Sequence, residues 1–230
     1  VLDVTYRSVT LRSSACWGMR RNGRQRKVSV QKAGSESAVP STRRSAADRL
    51  CETATNLFYT RGIRAVGIDE IVNETGVTKP TLYRSYASKD DLIVVCLQRQ
   101  IEDGNARWDA IATRYADEPL AELRAHMADF ADEIAAPDYR GCAATNAAVE
   151  FPDSAHPARM ITDDCKAATR KRLGDLTRRL SLKNPDGLAD GLMLLIEGAS
   201  SSRHTSGSQG PSSTLVETAE MLIGAHLNQK

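Results

Sequence analysis

Long apolar runs are missing from this chain of 230 residues. Nothing approaches the ~18 consecutive apolar residues of a membrane-spanning helix, and the N-terminus lacks the apolar core of a secretory signal. The reducing cytoplasm, with no membrane partner, is the expected compartment, although the Arg- and Ser-rich start also has the composition of an organelle transit peptide. Glycine and proline are sparse, at 15 and 8 residues, and the alternation of a half-buried strand is almost absent. Ala, Leu, Arg, Asp and Glu dominate instead, which predicts an all-α fold. The five cysteines (16, 51, 96, 142 and 165) include no CxxC and no close Cys/His pair, so neither a zinc site nor a disulfide framework is expected. Buried structural thiols are the main expectation, with Cys142 and Cys165 as candidate redox sensors. The four histidines show no HExxH spacing, and there is no GxSxG and no glycine-rich phosphate loop. No enzyme, metal or cofactor is expected; Asp90-Asp91 and Asp163-Asp164 read as solvated helix charge.

Charge sums to +2 but is unevenly placed. Residues 1–45 carry ten Lys/Arg against two acids, and the rest carries 21 against 27. Residues 1–40 have no helical or strand period and are expected to form a disordered basic arm, centred on Arg20, Arg21, Arg24, Arg26 and Lys27. A basic arm on an acidic body is compatible with a nucleic-acid partner.

Helical period begins near Ser45. Ala47, Leu50, Cys51, Ala54, Leu57 and Phe58 form one apolar stripe, and Gly62 ends the helix as a left-handed cap would. A short second helix is predicted over 68–75, with Gly76 as the turn. A third follows Thr78, a good N-cap, with Pro80 in its first turn, where a missing N–H is harmless. Ser88 caps a fourth, with Asp91 at its third position. Further helices are expected from Pro119 to Pro137, over 140–150, over 154–182, from Pro185 to 202, and after a Ser/Gly/Pro loop at 206–213, about nine in all.

The second and third helices, joined through Gly76, suit a helix-turn-helix whose second helix enters the DNA major groove. Thr78, Lys79 and Thr81 are polar at its start, Tyr83, Arg84 and Tyr86 follow, and Lys89 opens the next helix. Residues 46–95 hold six basic against seven acidic side chains. Tight binding by bulk charge is not expected of this segment; the fit must be geometric, helped by Arg43 and Arg44 on phosphates.

At these residues the chain resembles the N-terminal domain of the TetR family of repressors. The resemblance runs through Gly62, Ile71, Gly76-Val77-Thr78, Lys79-Pro80-Thr81-Leu82-Tyr83, Tyr86 and Ser88-Lys89; Gly67 departs from it, standing where Ser or Thr commonly caps the second helix. It implies DNA contacts from Thr78, Lys79, Pro80, Thr81, Tyr83, Arg84 and Tyr86, a phosphate contact from Lys89, and a core position for Leu82. It also implies a helix-turn-helix domain at 41–92 and a larger helical domain at 93–230, which binds an unknown small-molecule effector and forms a homodimer through its last two helices. Leu192, Leu195, Ala199, Leu215, Ala219 and Leu222 are the interface candidates. The stretch 140–153 resembles a cavity-bordering helix of one branch of the family. Effector candidates are Trp108, Met127, Phe130, Cys142, Asn146, Glu150, Met193 and Glu197; a buried Glu150 or Glu197 would need a cationic ligand or an arginine as partner. The implied function is repression at a palindromic double-stranded DNA operator, relieved by the effector. A regulator switched by cysteine oxidation and an activator are the alternatives.

Overall fold

The computed structural model describes residues 45–228. The disordered-arm expectation for 1–40, together with Arg43 and Arg44, lies outside them. Among the described residues there are nine α-helices and no strand: α1 Ala46–Arg61, α2 Ile68–Thr75, α3 Lys79–Ser85, α4 Lys89–Arg114, α5 Pro119–Ala135, α6 Ala143–Glu150, α7 Pro157–Arg178, α8 Pro185–Ser206 and α9 Leu215–Leu227, with a 3-10 turn at Pro211–Thr214.

The expected N-caps at Thr78 and Ser88 are in place and Ser45 adds a third, while Gly62 ends α1 at φ +92°, ψ 144°, outside the left-handed helical region. Ser45, Thr78 and Ser88 accept from the backbone N–H groups of Asp48, Thr81 and Asp91, and Gly76 takes the left-handed conformation after α2. Gly67 gives α2 no side-chain cap. Several boundaries differ from expectation, α7 opening at Pro157 rather than 154 and α8 running to Ser206 rather than 202 among them. α6 starts at Ala143 rather than near Arg140, because Gly141 has φ +92° and cannot be helical. α7 stops at Arg178 rather than Leu182, since Ser181, at φ +52°, turns the chain. α4 continues to Arg114, which brings Trp108 onto a helix.

Of three apolar cores among the described residues, a small one holds Ile134, Tyr139, Ala199 and Leu215, and the two larger ones stack along α4. The first gathers Leu50, Ala54, Leu57, Ile71, Leu82, Leu92, Ile93 and Leu97, and closes over Ala147, Phe151 and Ala158 from α6 and α7. The second packs Leu123, Met127, Leu173, Leu176, Leu188, Leu192, Ala219 and Ile223. The expected division after residue 92 thus falls within a continuous helix whose first turns belong to the α1–α3 head. No helix among the described residues is long and apolar enough to cross a membrane.

Candidate functional site

α3 is anchored by one side chain, the fully buried Leu82, and presents the rest outward. Thr78, Lys79, Pro80, Tyr83 and Arg84 are exposed and Thr81 is half-buried; Tyr83 is 50% exposed. The polar atoms of this face are held by one another. Thr78 and Thr81 hydroxyls lie 3.0 Å apart, Arg84 donates to Thr81 at 3.2 Å, and Lys79 reaches Asp69 of α2 at 2.6 Å. Asp69 holds the Lys79 ammonium above its usual range. Such exposed contacts contribute little, so exchanging them for phosphates and base edges is cheap.

Two expected contacts are differently employed. Tyr86 is a correction: it is 6% exposed, donates its hydroxyl to the Ala47 carbonyl at 2.9 Å, and is pushed up to about 12 by burial. It belongs to the core, not to the outward face. Lys89 donates to the Ile63 carbonyl at 2.7 Å beside the Phe58 ring, and burial lowers its pKa. It ties α4 to the α1–α2 loop, leaving at most two of its three protons for a phosphate.

The effector candidates are not brought together. Trp108, Met127, Phe130 and Met193 pack in or against the second core. Cys142 and Glu197 meet at Lys166, whose ammonium pairs with Glu197 and lies 3.3 Å from the Cys142 sulfur. Asn146 and Glu150 line a cavity of about 30 Å³ between α1, α4 and α6. Glu150 corrects the expectation of a ligand or arginine partner: its carboxylate accepts from the backbone N–H groups of Ile63 and Arg64, at 2.9 and 2.7 Å. Tyr59 makes a matching tie at the other end of α6, donating to the Gly141 carbonyl at 3.0 Å and accepting from the Arg140 N–H at 2.7 Å.

Most of the interface candidates face inward. Leu192, Ala199, Leu215 and Ala219 are buried within the subunit, and Leu195 and Leu222 are half-buried against its cores. The outward apolar residues of α8 and α9 are Leu194, 73% exposed, Met221, 63% exposed, and Val216. Gly198, one turn after Leu194, has open space where a Cβ would stand, whereas a Cβ at Gly191 would strike Leu222. Gly191 therefore serves packing inside the subunit, and Gly198 leaves room for a helix from outside.

Sequence reasoning passed over His126. It is buried, stacks on Trp108 with ring centres 3.7 Å apart, and has no hydrogen-bond partner for Nε2. Burial, then Arg172, pushes it down to about 4; nearby Glu122 is engaged by Arg179 at 2.5 Å. An unfolded histidine takes its proton below about pH 6.5, the folded one only near pH 4, so stability is full above 6.5 and lost as pH falls towards 4. The loss is about 3 kcal/mol at 1.36 kcal/mol per pK unit. His126→Phe keeps the stacked ring and should remove that part of the acid sensitivity in urea unfolding between pH 7 and 4. An unchanged decline would contradict the neutral buried imidazole.

An all-helical chain with a surface-presented second helix of a helix-turn-helix is built as a DNA-binding regulator. The pattern of bacterial regulatory proteins of the tetR family matches residues 50–96. A solved TetR-family transcriptional regulator from Streptomyces coelicolor is 30% identical, with a TM-score of 0.71 over 80% of this chain and 94% of that one. A TetR-type regulator from Streptomyces avermitilis is 27% identical, with a TM-score of 0.63 over 80% and 98%. The curated HTH-type transcriptional activator FasR of Mycolicibacterium smegmatis is 36% identical over 86 residues, 37% of this chain, and the match spans 39% of that protein's length. The chain belongs to the TetR family of DNA-binding transcriptional regulators, whose members form dimers.

Proposed function

We propose that the chain acts in the cytoplasm as a homodimer that grips a two-fold symmetric operator with the Thr78–Arg84 face and represses transcription until a small molecule enters its C-terminal half. The carrying observation is the pair of ties that fix α6 to the head: Glu150 on the Ile63 and Arg64 amides, and Tyr59 on Arg140 and Gly141. On its other side α6 is linked to α8, since Thr145 donates to Glu197 at 3.2 Å, and Lys166 of α7 completes the cluster. An ionic or hydrogen-bonding effector that takes over Lys166 or Glu197 releases this side of α6, and the ties pass the displacement to the α1–α2 loop. DNA and effector then weaken each other reciprocally, with a coupling of about 1–3 kcal/mol.

Glu150→Ala leaves two amides unpartnered. It should speed hydrogen exchange at Ile63 and Arg64 and destabilise the fold by about 1–3 kcal/mol; unchanged exchange would show that the tie is idle. The reading as a whole is tested by selecting genomic DNA on the purified chain. Recovery of a few discrete, symmetric sites beside promoters supports it, and retention of random fragments in proportion to length contradicts it. The match to a relative named as an activator favours a second reading. Operator position decides between them: overlap with the promoter means repression, and a site upstream of it means activation.

A further inference from the structure

The head's core holds two thiols in contact. Cys51 on α1 and Cys96 on α4 place their sulfurs 3.3 Å apart, and the Cys96 sulfur also lies 3.5 Å from the Cys51 carbonyl. Both side chains are buried. Thr55, one turn along α1, and the Arg99 guanidinium, held by Asp48 at 2.8 Å, stand beside the pair. Both groups favour a thiolate. Donation from Cys96 lowers the Cys51 thiol below its ordinary range; that hydrogen bond and burial raise Cys96.

Access comes from the cavity at the α1–α4–α6 junction. Cys96 and Thr55 line it, with Gln100 and Asn146 as further polar walls. Its volume of about 30 Å³ suits roughly two waters, hence a molecule the size of hydrogen peroxide, and is too small for an organic effector. The other described thiols lack this arrangement. Cys142 accepts from the Lys166 ammonium at 3.3 Å, and burial pushes Cys165 up to about 11.

We propose that Cys51 and Cys96 are an oxidation site for small hydroperoxides, which closes to a disulfide linking α1 to α4. Cys96, which lines the cavity, attacks one peroxide oxygen as its proton passes to the Cys51 sulfur 3.3 Å away, the O–O bond breaks, and the leaving oxygen departs as water after taking a proton. The second sulfur then attacks the resulting sulfenic sulfur, losing its own proton, and expels the hydroxyl as a second water. Two thiols and one hydrogen peroxide give one disulfide and two waters; the thiols supply both electrons. Drawing the sulfurs from 3.3 Å to the about 2.05 Å of a disulfide shifts α1 against α4 beneath the recognition helix. The bond also closes a loop that contains α2 and α3.

The full chain, reduced and then treated with equimolar hydrogen peroxide, should yield on proteolysis without reductant a linked peptide pair containing Cys51 and Cys96, lighter by two hydrogens and split by dithiothreitol. Cys142→Ser should retain the link and Cys96→Ser should lose it. Because a serine in this core could unfold the head, loss of two reactive thiols per wild-type chain, localised by mass to 51 and 96, is the deciding count. Links through Cys16, Cys142 or Cys165, or oxidation elsewhere with 51 and 96 still reduced, would overturn the proposal. This readout needs no DNA and so stands apart from the regulatory reading. Where operator binding is also measured, oxidation should weaken it about tenfold; a 51–96 disulfide with unaltered affinity would limit the proposal to its chemistry.

Discussion

Tyr83→Ala should lower affinity for the selected operator by about 30-fold or more, while the thermal midpoint stays close to that of the unaltered chain. Half of this ring is exposed and it has no core role, so its removal leaves the packing of Leu82 intact. If the ring contributes about 1 kcal/mol on DNA, two heads on one operator make that about 2 kcal/mol, or roughly 30-fold. Affinity for unrelated DNA should change much less, because backbone attraction is left in place. The contrasting variant is Tyr86→Ala, three residues away. It empties a core site and breaks the hydroxyl bond to Ala47, so it should destabilise the fold by about 3–5 kcal/mol. Fluorescence titration and thermal unfolding of both variants check the pair. Equal operator binding by Tyr83→Ala and the unaltered chain would remove α3 from the DNA.

The double change Leu194→Glu and Met221→Glu should convert a dimer into folded monomers. Each of these exposed side chains is worth about 1.5–3 kcal/mol when covered, and two-fold symmetry counts every loss twice. The dimer dissociation constant should therefore rise by at least about 1000-fold in sedimentation analysis. Operator binding should fall with it, since a lone head holds only a half-site. Leu192→Ala, by contrast, should destabilise the subunit by about 2–5 kcal/mol and leave association nearly unchanged. A double variant that remains dimeric at nanomolar concentration would place the interface elsewhere.

These contrasts also show where sequence reasoning reached and where it stopped. The helical count, the caps at Thr78 and Ser88, and the family were readable, because each rests on neighbours within four residues. Tyr83 and Tyr86 were not separable, since a spacing of three puts both on one helical face. Tyr86, however, lies just past α3, with extended φ −139° and ψ 120°, so helical spacing no longer applies and its ring turns inward. The burial of the interface candidates was hidden for a related reason. The densest apolar stripe on α8 (Leu188, Leu192, Ile196, Ala199) lies in the subunit's own cores, and the better signal was Leu194, a leucine off that stripe. The partners of Glu150 are backbone amides 86 and 87 residues away, which no local pattern discloses. Cys51 sat on the expected apolar stripe of the first helix, and only the crossing of α1 with α4 brings Cys96 into contact with it.

The central claim is that two copies of the Thr78–Arg84 face read DNA together. Hydroxyl-radical footprinting of the full chain on its selected site tests this most directly. The account predicts two protected segments related by a two-fold axis, with centres about one helical turn, 34–36 Å, apart or a whole multiple of it, both lost in Tyr83→Ala. A single asymmetric footprint, or protection that survives Tyr83→Ala unchanged, would contradict it.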